Sequence, residues 1–317
     1  MKIEKLLEGA FDLHVHAAPD VVPRAQTLPE LARAAARVGM AGVLIKDHTA
    51  STVGRCFAMN EVSTGPFRFF SALALNPPVG GLNPCAVESA LREGADVIYF
   101  PTYGAKNHIA IWGAGKPPTA FPLPGSAYPG LSPLDENGKL REECETILRL
   151  IAGHDAVMAT GHISPVESLA LIKLAVDFGV RRMLVTHVSE SVTAMSLEQQ
   201  REAVQLGALI EHCFFAVTES CPGSVSLDWI CEQIRLMGVG NIILTSDFGQ
   251  VSNGPPVEGF CFYLGKMRDL GFSDEELRVM IHDNPRKLLK GLTDNVQDIV
   301  HQISIQDIVH KRSLTIE

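Results

Sequence analysis

Eight short apolar runs, spaced by stretches of helical periodicity, constrain this chain more than any other feature. The runs cover 11–16, 42–48, 67–75, 95–100, 156–162, 182–187, 208–215 and 241–247. Most begin roughly 25–33 residues apart, the length of one strand and its return helix. They are near-continuous rather than alternating, which fits parallel strands covered on both faces. Helical patterns fill most intervals, at 28–38, 84–93, 142–152, 165–178, 196–206 and 226–237, and two more follow at 255–270 and 274–289. Residues 3–8 read as a short lead-in helix. Thr27-Leu-Pro-Glu30 has the form of a helix start and Gly39 that of a stop. The pattern predicts the α/β class: a (β/α)8 TIM barrel forming a single domain over residues 1–291. Residues 292–317 hold Gln297-Asp-Ile-Val-His301 and its near-copy Gln306-Asp-Ile-Val-His310. Two such copies are too few for a solenoid, so a tail or an extra helix is expected there.

Composition narrows the function classes. A 46% hydrophobic content supports a large core, and the net charge of -9 is spread without a basic patch, which disfavours nucleic acid. No apolar run reaches membrane-spanning length. The opening Met1-Lys-Ile-Glu-Lys-Leu-Leu-Glu-Gly9 lacks the form of a signal peptide. The seven cysteines (Cys56, Cys85, Cys144, Cys213, Cys221, Cys231, Cys261) are scattered, as reduced thiols of a cytoplasmic protein would be.

One interval breaks the period. Residues 104–133, after the fourth strand, are rich in Gly and Pro with little helical or strand pattern. A loop that long at a strand's C-terminal end reads as a lid or substrate loop, with an oligomer contact as the alternative.

The chemistry-bearing residues cluster at strand ends. His14 and His16 share one face of the first strand, since side chains alternate there. Lys46 and His48 end the second strand, His162 the fifth, His187 the sixth and Asp247 the eighth. A parallel barrel brings these ends to one rim. Four histidines and an aspartate suit Zn²⁺ or a similar divalent metal such as Mn²⁺, as one ion or two. Such an ion lowers the pKa of bound water to near 7, and Asp247 would bind the metal, accept the water's proton, or both. A single His in an apolar run is ordinarily a hydrogen-bonded core residue. Agreement across five strand ends is what favours ligation here. On the seventh strand alternation turns either Glu211 or His212 inward, without deciding which. His108, His154, His282, His301 and His310 fall in expected loops or helices and are set aside.

The ordered set of Phe11-Asp-Leu-His-Val-His16, His162, His187 and Asp247 resembles the amidohydrolase superfamily. Within it, Lys-x-His after strand two resembles a poorly characterised amidohydrolase-like group. Asn284-Pro-Arg-Lys-Leu-Leu289 is similar to that superfamily's C-terminal helix. The resemblance implies that His14 and His16 bind one metal with Asp247. His162 and His187 would bind a second or, around a single metal, orient substrate and water. Binuclear members usually take a bridging Lys or Glu from strand four, but that strand ends Tyr99-Phe-Pro-Thr-Tyr103. Lys46, carbamylated, is the candidate bridge in its place; as an ammonium it would hold an anionic group. His48 and Tyr103 are candidate substrate contacts, and Arg24 and Arg55 would hold a substrate carboxylate.

The function implied is a metal-dependent hydrolase of small molecules, cleaving an amide, cyclic amide or lactone. A mononuclear decarboxylase is the alternative, ahead of a phosphoesterase or a non-catalytic metal-binding barrel. A homo-oligomer is implied by the resemblance alone.

Overall fold

The computed structural model describes residues 2–63, 65–113 and 129–291. Eight parallel strands run in chain order: β1 (Phe11–Val15), β2 (Gly42–Ile45), β3 (Arg68–Ala74), β4 (Val97–Tyr99), β5 (Val157–Ala159), β6 (Met183–Val185), β7 (Leu209–Cys213) and β8 (Ile242–Thr245). The helices are α1 (Leu28–Arg37), α2 (Val53–Val62), α3 (Pro84–Glu93), α4 (Lys106–Trp112), α5 (Glu142–His154), α6 (Pro165–Asp177), α7 (Leu197–Gln205), α8 (Leu227–Met237), α9 (Pro256–Asp269), α10 (Asp274–Arg278) and α11 (Asn284–Leu288). This is the expected (β/α)8 barrel. The apolar runs outlast their strands, and the surplus, such as Lys46-Asp-His48 and Thr160-Gly-His162, leaves the ladder to line the barrel mouth. Among the described residues no helix is long and apolar enough to cross a membrane.

Two apolar clusters hold the barrel. Phe11, Leu13, Leu44, Phe70, Tyr99, Leu184 and Ile243 fill the lumen. A larger cluster lies between strands and helices. The ring closes between β8 and β1 through two backbone bonds. Asp247 N–H donates to the His14 carbonyl at 2.9 Å, and His16 N–H to the Phe248 carbonyl at 2.8 Å. Asp12 reinforces this seam by accepting from the Ser246 N–H at 3.0 Å and from its hydroxyl.

Register explains how β1 serves both the core and the site. Phe11 and Asp12 pair with Gly42 and Val43, but Val15 pairs with Ile45, so β1 carries one extra residue. Such a bulge re-aims the side chains beyond it. Phe11 and Leu13 therefore fill the lumen, and His14 and His16 turn to the same interior.

Three elements depart from expectation. The interval 104–133 contains a helix, α4, at its start; residues 114–128 lie outside the described set, as do 292–317. Helix α2 follows β2, where its low amphipathicity, with Phe57 and Val62 exposed, hid it. The helix expected over 274–289 is broken by a π turn at Val279–Asp283. Pro285, which has no N–H and clashes with a carbonyl one turn back, accounts for the break.

Candidate metal centre

The seam residues converge with those of β2, β6 and β7 on one buried point. His14 Nδ1 lies 3.0 Å from Glu211 Oε1. A carboxylate only accepts, so the proton sits on Nδ1 and the lone pair on Nε2. That nitrogen lies 2.9 Å from Lys46 Nζ and 3.3 Å from Asp247 Oδ1. His16 Nε2 is 3.1 Å from the same oxygen, and His187 Nε2 is 3.6 Å from Asp247 Oδ2. His187 and Asp247 have φ of 57° and 50°, left-handed values that non-glycine residues seldom adopt. Strain of this kind collects at functional sites. Asp247 is followed by Phe248 and Gly249. A Cβ on Gly249 would come within 1.9 Å of the His16 carbonyl, so only glycine lets the two loops approach.

Glu211 is the inward residue of β7. Besides His14 it accepts from the Thr245 hydroxyl at 3.1 Å and the His187 N–H at 3.2 Å, and so ties β1, β6 and β8 together. His212 points away and bonds Ser189 at 2.6 Å.

Buried polar groups normally have partners, yet both His187 ring nitrogens, Asp247 Oδ1 and Glu190 Oε1 make no hydrogen bond. Burial holds the imidazoles neutral, the form that binds metal, with His14 pushed down to about 3 and His16 and His187 to about 4. Burial alone would raise Asp247, but His14, His16 and His187 outweigh it and hold the carboxylate well below its usual range. Burial also lowers Lys46 and raises Glu190 and Glu211. Asp247, held as a carboxylate among neutral imidazoles, supplies a charge that a divalent cation would balance. Ligand atoms of His14, His187, Cys213 and Asp247 all lie within 4.8 Å of one another. The residues present therefore fit a divalent metal.

A second group of rings faces this cluster from β2–β5. Tyr103 stacks on His48 at 3.7 Å, and His48 on His16 at 5.0 Å. His162 Nδ1 lies 2.8 Å from the Nδ1 of His108 on α4. Asn107 fixes that helix by donating to the carbonyls of His162 and Val192, and Trp112 does so by donating to Ser191 at 2.7 Å. Asn76 donates to the His48 carbonyl and to Thr102.

The expected residues thus divide. His14, His16, His187, Asp247 and Lys46 come together. His162 sits in the ring group, its centroid 4.8 Å from that of His187. His48 and Tyr103 line the same wall. The two arginines are already paired. Arg24 bonds Asp20 at 2.7 Å and lies 3.4 Å from His16 Nδ1, while Arg55 bonds Asp47 at 2.6 Å and the Pro19 carbonyl. His108, set aside in the sequence, belongs to the site because the expected loop is a helix there. Glu190 and Cys213 gave no sequence signal beyond their residue types.

The fold is shared with solved structures that have little sequence in common with it. An amidohydrolase from Pseudomonas aeruginosa aligns at 13% identity and a TM-score of 0.62, over 91% of this chain and 98% of that one. The probable dipeptidase PvdM of the same organism gives 9%, 0.59, 90% and 96%. The lactonase Lmo2620 from Listeria monocytogenes gives 12%, 0.56, 92% and 96%. The resemblance to the amidohydrolase superfamily thus extends to the architecture. No curated protein matches the sequence significantly. The model of a family of unknown function, DUF6282, matches residues 9–211, from β1 into β7, and the chain belongs to that family.

Proposed function

We propose that this protein is a divalent-metal-dependent hydrolase that opens an amide, cyclic amide or lactone bond in a small molecule. The observation that carries the reading is the set of buried, unpartnered ligand atoms on His187 and Asp247 facing the lone pair of His14. A divalent ion, taken to be zinc, supplies Lewis acidity and activates water when bound. His14, His187 and Asp247 hold it at the C-terminal end of the barrel. Asp247, ionised at neutral pH, accepts the proton of the attacking water. Lys46 Nζ, as an ammonium, steadies negative charge developing on the substrate oxygen. The wall of His48, Tyr103, His108 and His162 limits water on the opposite side and contacts the substrate. The free cysteines fit a reducing, cytoplasmic setting.

Lys46 also sets the metal count. As an ammonium it leaves room for one divalent ion; as a carbamate it would bridge two. The lack of an acidic or lysine ligand on β4 favours a second reading, a mononuclear decarboxylase. Elemental analysis of protein purified without chelator tests the scheme, with one equivalent of metal expected. Chelation should abolish turnover on a panel of lactones and cyclic amides, and added zinc should restore it. Carbon dioxide release from a carboxylate substrate, without hydrolysis, would replace the hydrolase by the lyase. Absence of any metal, with none taken up on addition, would end the reading.

A further inference from the structure

We propose that Glu190 accepts a hydrogen bond from the substrate, and that the bond opened at this mouth is therefore an amide with a free N–H. This rests on the hydrolase reading above and chooses within it.

The chain around this carboxyl is fastened, and the carboxyl is not. Glu190 follows β6 in a loop that opens at the left-handed His187. Its N–H donates to the His187 carbonyl at 2.8 Å, and its own carbonyl accepts from the Thr193 N–H at 3.0 Å. On one side Ser189 bonds His212 of β7 at 2.6 Å. On the other, Ser191 accepts from Trp112 of α4 and donates to the Pro222 carbonyl, both at 2.7 Å. The residue held by this frame is 1% exposed, and its Oε1 has no hydrogen-bond partner. A buried acceptor left unpaired works against the fold. A rigid frame behind an open polar atom is how a group is preorganised for a ligand from outside the chain.

The carboxyl belongs to the mouth. Its charge acts on Lys46 and on the Tyr103 hydroxyl, and Asp247 and Glu211 act on it in turn. Among the described residues Lys46 makes no ion pair with it; Lys46 Nζ lies instead 2.9 Å from His14 Nε2. The mouth thus holds a donor on Lys46 and an acceptor on Glu190 that do not satisfy each other. An amide carries the complement of both, a carbonyl oxygen next to an N–H. A lactone offers the carbonyl alone and leaves the Glu190 oxygen unpaired. A site built to bond a substrate N–H rejects an analogue that lacks it. A carboxyl keeps an accepting oxygen in either protonation state, so the role does not depend on its charge.

Zinc-loaded protein tests this on a panel of lactones, secondary amides and lactams, each amide and lactam paired with its N-methyl form. Wild type should prefer the N–H member of a pair by about tenfold or more in kcat/KM. E190L, close in volume but without an acceptor, should shrink that preference by about tenfold, with zinc content unchanged by elemental analysis. E190Q, whose amide oxygen still accepts, should keep most of it. Thermal melting gives a reading without substrate. E190L should melt about 2–6 °C above wild type, because it buries no unpaired oxygen. A preference unchanged in E190L overturns the role of Glu190 and leaves the hydrolase reading standing. A loss of zinc in E190L, or a midpoint below that of wild type, does the same, since the carboxyl would then serve the metal or the fold. If E190L does not fold, the preference is read in E190A. Turnover of lactones alone overturns the choice of amide, again with the hydrolase standing. Wild type that holds zinc and opens no member of the panel removes the hydrolase reading and this proposal together.

Discussion

The two halves of the barrel mouth are built from different chemistry. The seam half, from β1, β6, β7 and β8, holds Asp247, Glu211, His14 and His187 in a network that crosses strands and leaves ligand atoms unpartnered. The facing half, from β2 to β5 and α4, is a stack of rings: His48, Tyr103, His108 and His162. Carboxylates are gathered on one side, and planar apolar faces with few charges on the other. The contrast teaches that a metal and a substrate can share one mouth without competing for the same side chains.

Loss of Asp247 should break the seam half most completely. Asp247→Ala should retain no stoichiometric metal by elemental analysis and give background turnover, with circular dichroism unchanged. Removing the support behind a ligand is the next largest effect. Glu211→Gln keeps the shape but weakens the grip on the His14 ring and the His187 backbone, so metal affinity should fall about 10–100-fold by competition with a chelator. A change in Gly249 tests the fit between the loops. Gly249→Ala forces a Cβ into the His16 carbonyl at a φ of 129°, and should cost about 1–3 kcal/mol, read as a lower urea midpoint. The smallest effect on metal belongs to the ring half. His108→Gln should leave metal affinity within about threefold, well short of the loss when a residue behind a metal ligand is removed, and alter KM on any substrate found. An equal loss of metal in His108→Gln and Glu211→Gln would erase the division between the halves.

The division was only partly legible in the sequence. His14, His16, His187 and Asp247 could be found because strand-end positions in a parallel barrel converge whatever the loops do. The β1 bulge and the left-handed backbones of His187 and Asp247 could not, since neither residue advertises that geometry. Glu211 was narrowed to a choice with His212, and only the closed barrel decides which faces the lumen. His108 was missed because α4 sits at the start of a Gly- and Pro-rich interval where helical periodicity is short. Cys213 was hidden by its company: seven dispersed cysteines look alike until one strand turns its sulfur toward the imidazoles.

The bonds that shut the barrel run through the backbone of its candidate ligands. The amides of Asp247 and His16 are both closing donors and neighbours of the metal seat. Hydrogen–deuterium exchange at those two amides therefore reports on fold and site at once. They should be among the slowest in the molecule, and metal removal should speed the pair together by loosening the β8–β1 joint. A purifying chelator would then do more than silence a reaction: it would unlatch the cylinder at a single place.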